Sequence, residues 1–115
     1  MKNLLTAAVA LTLSACADYE DRYPADPVLA QACAARLGGV EAKAGLPTII
    51  SHEGYWMNEE VGWIMGLYDP NTDTLEYTDD WEAFSTLVHE FTHRQDGTED
   101  MARRAEERIH LCFAD

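Results

Sequence analysis

The sequence predicts a small α+β domain, on three observations. Its 115 residues are 47% hydrophobic with only 4 prolines, enough apolar material for one packed core. Apolar residues recur at helical spacing early in the chain and again towards its end. Between them lie short β-branched and aromatic runs separated by turn formers. The expected order is an N-terminal helix, a small three-stranded antiparallel sheet, then a helical hairpin.

The chain opens with Met1-Lys2-Asn3, an apolar stretch from Leu4 to Leu13, and the small residues Ser14 and Ala15. A basic start, an apolar segment too short to span a bilayer and a small-residue exit are the layout of a secretory signal peptide. Ala7-Ala8-Val9-Ala10-Leu11 is apolar all round rather than striped, so it does not suit a half-exposed core helix. Leu13-Ser14-Ala15-Cys16 resembles the bacterial lipobox. That resemblance implies cleavage before Cys16, acylation of its thiol and a mature chain held at a membrane. Ala17 rather than Asp follows the cysteine, which by the lipoprotein sorting rule of Gram-negative bacteria implies the outer membrane, facing the periplasm. The expected organisation is a leader over 1–15, a tether over 16–25 and a folded domain over 26–115.

The three cysteines fit export. With Cys16 assigned to lipid, an even pair remains, and a Cys33–Cys112 disulfide joining the first helix to the last is expected.

Asp26-Pro27 is a helix start, with Asp as the cap and Pro at the first helical position. Val28, Leu29, Ala32, Cys33 and Leu37 form its predicted apolar face, and Gly38-Gly39 end it. Thr48–His52, Gly62–Tyr68 and Thr74–Thr78 are predicted strands, the last two joined as a hairpin through Asp69-Pro70-Asn71-Thr72-Asp73. Asp79 or Asp80 is the expected cap of a long helix running to about Gln95, striped by Phe84, Leu87, Val88 and Phe91. Asp96-Gly97 breaks it. Thr98 caps a final helix to about Cys112, with Ala102, Ala105, Ile109 and Cys112 as its packing face.

Charge narrows the function. The chain carries 21 acidic against 8 basic residues, a net charge of −13, which excludes a phosphate-binding basic face and therefore nucleic acid. Arg103, Arg104 and Arg108 are read as a solvated helix face paired with Glu106, Glu107 and the acids opposite. Trp56, Trp63 and Trp81 are read as core or cleft wall.

The chemistry lies in His89-Glu90-Phe91-Thr92-His93. Helical residues four apart share a face, so both imidazoles can reach one metal ion. Zinc accepts imidazole nitrogen at about 2.0–2.1 Å, and catalytic sites use three protein ligands plus a water. Glu90, one residue on from His89, is placed to take a proton from a water whose pKa zinc lowers to about 7. Chance alone yields the pattern in about one chain in eighty of this composition, so its position inside a predicted helix matters.

From Gly62 to Cys112 the chain resembles a minimal zincin metallopeptidase, in particular a gluzincin. The resemblance rests on the His-Glu-x-x-His motif, the hairpin Met65–Leu75 just upstream and Glu99-Asp100-Met101-Ala102, which matches the Glu-x-x-Ala of gluzincins. It implies zinc held by His89, His93 and Glu99, Glu90 as general base, and a peptide or protein substrate laid along the hairpin's edge strand. Only five residues separate His93 from Glu99, a shorter link than in the larger gluzincins, and Glu106 is the alternative third ligand. His52, Tyr55, Tyr68, Tyr77 and His110 are candidates for stabilising the oxyanion, with nothing in the sequence to rank them. The expectation is a lipid-anchored zinc peptidase. Its rival is a catalytically inactive envelope lipoprotein of the same fold, in which the metal braces a binding module.

Overall fold

The computed structural model describes residues 23–39 and 41–113. The expected leader, Cys16 and its lipid, and most of the tether lie outside the described residues. The fold is α+β, in the expected helix–strands–helices order. Helix α1 (Pro27–Gly38) is followed by five strands: β1 (Thr48–His52), β2 (Trp56–Asn58), β3 (Gly62–Ile64), β4 (Gly66–Asp69) and β5 (Thr74–Thr78). Helices α2 (Ala83–Arg94) and α3 (Glu99–Glu107) come next, then a 3₁₀ turn over Ile109–Phe113. No helix among the described residues is long and apolar enough to cross a membrane.

Helix α1 begins as expected. The Asp26 side chain accepts hydrogen bonds from the backbone N–H groups of Val28 and Leu29, Pro27 sits at the first position, and Gly39 ends the helix in the left-handed region at φ 65°. Its buried face matches the predicted one at Cys33 and Leu37 only. Ala30, Gln31, Cys33 and Ala34 face inward, whereas Val28 and Leu29 are exposed. Small residues allow close helix–helix approach, and the disulfide fixes the helix's rotation. Cys33 and Cys112 are bonded, their Cα atoms 5.7 Å apart. The tether ends earlier than expected: Tyr23 stacks on Phe113 with ring centroids 4.4 Å apart and packs against the core.

The three-stranded sheet has the order β1-β5-β4, and one pairing departs from the antiparallel expectation. Strands β4 and β5 form the predicted antiparallel hairpin, Tyr68 opposite Leu75. Strand β1 instead runs parallel to β5, Thr48 opposite Thr74 and His52 opposite Thr78. A parallel pair requires a long crossover, and residues 53–73 supply it. Within that crossover, β2 and β3 form a separate antiparallel hairpin, Met57 opposite Trp63. The predicted strand Gly62–Tyr68 is therefore two strands, which change partner at Met65.

Strand β5 is central and alternates as a half-buried strand should: Leu75 and Tyr77 point into the core, Glu76 away from it. Helix α2 lies against this sheet with Phe84, Leu87, Val88 and Phe91 buried, and its other flank packs on α1 and α3. It starts later than expected. Asp80 closes a preceding turn instead, its carboxylate accepting from the Glu82 N–H at 2.9 Å and its carbonyl from the Ala83 N–H at 3.0 Å. Helix α3 is capped by Thr98, whose hydroxyl accepts from the Met101 N–H at 3.2 Å, and Ala102 and Ala105 are its buried contacts. It ends at Glu107, and the 3₁₀ turn carries Ile109 and Cys112 to the core edge.

A second polar brace holds the far end of α2. Arg94, buried at 4% side-chain exposure, donates from Nε to Asp73 Oδ1 at 2.9 Å and from Nη2 to Oδ2 at 3.2 Å. Its Nη1 donates to the Gly45 carbonyl at 3.1 Å, and the Tyr68 hydroxyl donates to Asp73 Oδ1 at 2.7 Å. The β4–β5 turn, the loop before β1 and the end of α2 are thereby tied together.

Candidate metal centre

Helix α2 presents His89 and His93 on one face, their rings 5.1 Å apart. The link to α3 is short because Asp96 adopts φ 66° and Gly97 turns against the helix end. A Cβ on Gly97 would stand 2.8 Å from the Thr92 carbonyl oxygen, so no side chain fits there. This turn brings Glu99, at the first position of α3, back over the two histidines.

Glu99 Oε1 lies 3.0 Å from His89 Nε2 and 2.8 Å from His93 Nε2. These three ligand atoms all lie within 4.8 Å of one another. Donors placed tetrahedrally about 2.1 Å from a zinc ion stand roughly 3.4 Å apart, so small side-chain rotations suffice to enclose one. The tautomers fit as well. His93 Nδ1 faces the Gly97 carbonyl oxygen at 3.2 Å, and His89 Nδ1 faces Glu106 Oε1 at 2.5 Å. With each Nδ1–H donated to an oxygen acceptor, loss of the proton shared between Nε2 and Glu99 leaves both Nε2 lone pairs for an ion. The donor set, two imidazole nitrogens and a carboxylate, fits zinc.

Glu106 was weighed as a third ligand and occupies a different place. Its carboxylate bonds the far nitrogen of His89 and accepts from the Ser85 hydroxyl at 3.5 Å. It therefore orients a ligand, and the Nε2–Nε2–Oε1 group is completed by Glu99. Glu99 is itself steadied by Arg103, which donates from Nε to Oε2 at 3.1 Å. Arg103 thus pairs with Glu99, not with Glu106 or Glu107 as the sequence suggested.

The electrostatics favour a cation. Burial works against the Glu99 charge, but hydrogen bonds from His93 and Arg103 and the proximity of His89 outweigh it and bring its pKa down to about 2. Burial likewise opposes charging His89, and the Glu106 bond with the fields of Glu90 and Glu99 overrides it, raising its affinity for a proton. The same negative field attracts a metal ion in the proton's place.

Glu90 points to the sheet side of the histidines. It is withdrawn from solvent, and burial is the main cause that pushes its pKa up. It lines a cleft of about 380 Å³ with His89, Met65 and Gly66. Gly66 is a site residue that sequence reasoning passed over. A Cβ there would stand 2.5 Å from Thr86 Cγ2 and 3.1 Å from Glu90 Oε2, so only glycine lets β4 lie this close to α2. A glycine inside a strand pattern opposite the motif was the available signal.

Of the five oxyanion candidates, Tyr55 lines the cleft. His52 is bonded to Glu76 at 2.8 Å and stacked on Trp56, Tyr68 serves Asp73, Tyr77 is in the core, and His110 sits exposed on the 3₁₀ turn. Trp63 forms part of the cleft wall and is largely exposed, as is Trp81.

No protein-family model, curated protein or solved structure matches this chain.

Proposed function

We propose that this chain is a zinc-dependent peptide hydrolase. One observation carries the reading: Nε2 of His89, Nε2 of His93 and Oε1 of Glu99 converge with their partner hydrogen bonds already made, beside a cleft that holds a half-buried carboxylate. A bound zinc supplies Lewis acidity and a water that ionises near neutral pH. Glu90, which lines the cleft beside His89, is the group that would take a proton from a water held at the centre and return it to the departing amine. Strand β4 is an edge strand that lines the cleft, so its outer side offers backbone groups to an extended peptide. Tyr55 is the group we assign to the oxyanion.

The rival, a metal-braced binding module, calls for a closed site with a fourth protein donor. Among the described residues the converging group has three members, with Glu106 engaged behind His89. That favours a position left for solvent and substrate. For location we propose an exported lipoprotein anchored through Cys16, probed by acyl labelling that Cys16→Ala abolishes. The Cys33–Cys112 bond supports passage through an oxidising compartment.

The test is metal analysis of the purified chain paired with Glu90→Gln. One zinc per chain is expected in both forms, with peptide hydrolysis lost in the variant. Equal hydrolysis by the variant removes Glu90 from the mechanism, and absence of bound metal removes the hydrolase.

A further inference from the structure

The cleft beside the candidate metal centre has two unlike walls. One wall is apolar and aromatic: Tyr55, Trp63, Ile64 and Met65. Tyr55 is 58% exposed and Trp63 68% exposed, on and next to the β2–β3 hairpin. Aromatic faces left this open beside a reactive centre are contact surfaces awaiting a partner. The other wall is acidic, and no Lys or Arg lines the cleft. Two of its carboxylates are committed: Glu106 to His89 and Ser85, Glu90 to the proton transfer proposed above. The third, Glu82, is half-buried at the head of α2, and its carboxylate makes no hydrogen bond or ion pair with any described residue.

We propose that this cleft selects peptides bearing an arginine or lysine side chain, stacked on Trp63 with its cationic head on Glu82. The proposal rests on the peptide-hydrolase reading and adds the substrate class. A basic side chain is the one natural side chain that matches both walls. Its aliphatic stem covers apolar surface, its charge lies over the aromatic faces, and its donors reach a carboxylate. Arginine leads, because a planar guanidinium stacks on indole and bonds a carboxylate in a fork at once. A purely apolar side chain would leave the Glu82 charge beside a surface it had just desolvated. An acidic side chain would meet three carboxylates within a chain of net charge −13.

The experiment uses the zinc-loaded full chain and a positional set of quenched peptides in which one residue is arginine, citrulline, norleucine or glutamate. Citrulline keeps the shape of arginine and lacks its charge. For the native chain we expect kcat/KM to favour arginine over citrulline by about tenfold. In Glu82→Gln this ratio falls to about twofold, the share left to the aromatic face, and in Trp63→Ala both peptides weaken and the ratio falls as well. A parallel arm measures binding of the same peptides to Glu90→Gln by tryptophan fluorescence. Equal hydrolysis of arginine and citrulline peptides overturns the inference and leaves the hydrolase standing. Tenfold preference in the binding arm with no hydrolysis by the native chain overturns the hydrolase and leaves the inference standing. A concentration-dependent dimer lost in Trp63→Ala, with no arginine preference, assigns the hairpin to a second copy and overturns the inference.

Discussion

Replacing Asp73 by Asn tests the account of how α2 is held in place. Asn tolerates the left-handed conformation found at Asp73, φ 51°, so the substitution removes charge without straining the turn. One hydrogen bond from Arg94 survives on the amide oxygen, while the amide nitrogen faces the Nη2 donor at the other position. Breaking a fully buried pair costs about 3–5 kcal/mol and an exposed one about 0–1 kcal/mol. Arg94 is buried at 4% exposure but Asp73 is 47% exposed, so solvent relieves part of the loss. The expected cost is about 2 kcal/mol, a fall in Tm of about 8–16 °C for a domain of this size. Urea titration with an unchanged m-value measures it, and the double variant Asp73→Asn/Arg94→Met should lose less than the two single losses added. A loss below about 0.5 kcal/mol would show that the ion pair is screened away and that another contact holds the helix end. The pH dependence carries the same sign. Hydrogen bonds from Arg94, then Tyr68, hold the folded Asp73 carboxyl below its ordinary 3.8, so its contribution is full above that value. It disappears as pH falls through the lower folded value, and the native chain should converge in stability with the Asn variant there.

Three further outcomes are expected. Gly66→Ala places a methyl against Thr86 and Glu90 and should cost about 1–3 kcal/mol, with at least half recovered by Thr86→Ser, which removes the clashing Cγ2; chemical denaturation of the single and double variants decides it. Glu106→Gln keeps shape but weakens the acceptor behind His89, and should raise the zinc dissociation constant about 10–100-fold in chelator competition without changing stoichiometry; an unchanged affinity would deny Glu106 its orienting role. Replacing both Cys33 and Cys112 by Ala opens a loop of 79 residues and should cost about 4 kcal/mol in urea titration; a cost under about 1 kcal/mol would mean that the crosslink adds little to a helix already packed.

Much of the centre could be read from local chemistry. The four-residue offset between His89 and His93 specifies one helical face, and Asp96-Gly97 announces the reversal that brings Glu99 over it. What lay beyond reading depends on rotation and pairing between distant elements. Glu106 is seven residues after Glu99 on α3, and whether it meets a metal or the back of an imidazole is decided by how α3 turns against α2. Close packing through Ala102 and Ala105 sets that rotation, and no periodicity reports it. The face of α1 is legible at Cys33 and Leu37 but not at Val28 and Leu29: apolar character points them inward, while the bonded Cys33 and its small neighbours decide which side is covered. β-Branched runs bounded by turn formers identify β1 and β5 but are blind to their relative direction, and β2 is too short to carry a pattern at all.

The long crossover between His52 and Thr74 is more than a means of turning β1 parallel to β5. Its first half, from Glu53 to Ile64, is a self-paired excursion that forms one wall of the cleft, while the candidate metal ligands His89, His93 and Glu99 sit on α2 and α3. On the proposed reading, the aromatic wall that would contact a substrate is separable in sequence from the residues that would hold an ion. A different finger grafted between His52 and Met65 would replace Tyr55 and Trp63 while leaving His89, Glu90, His93 and Glu99 in place.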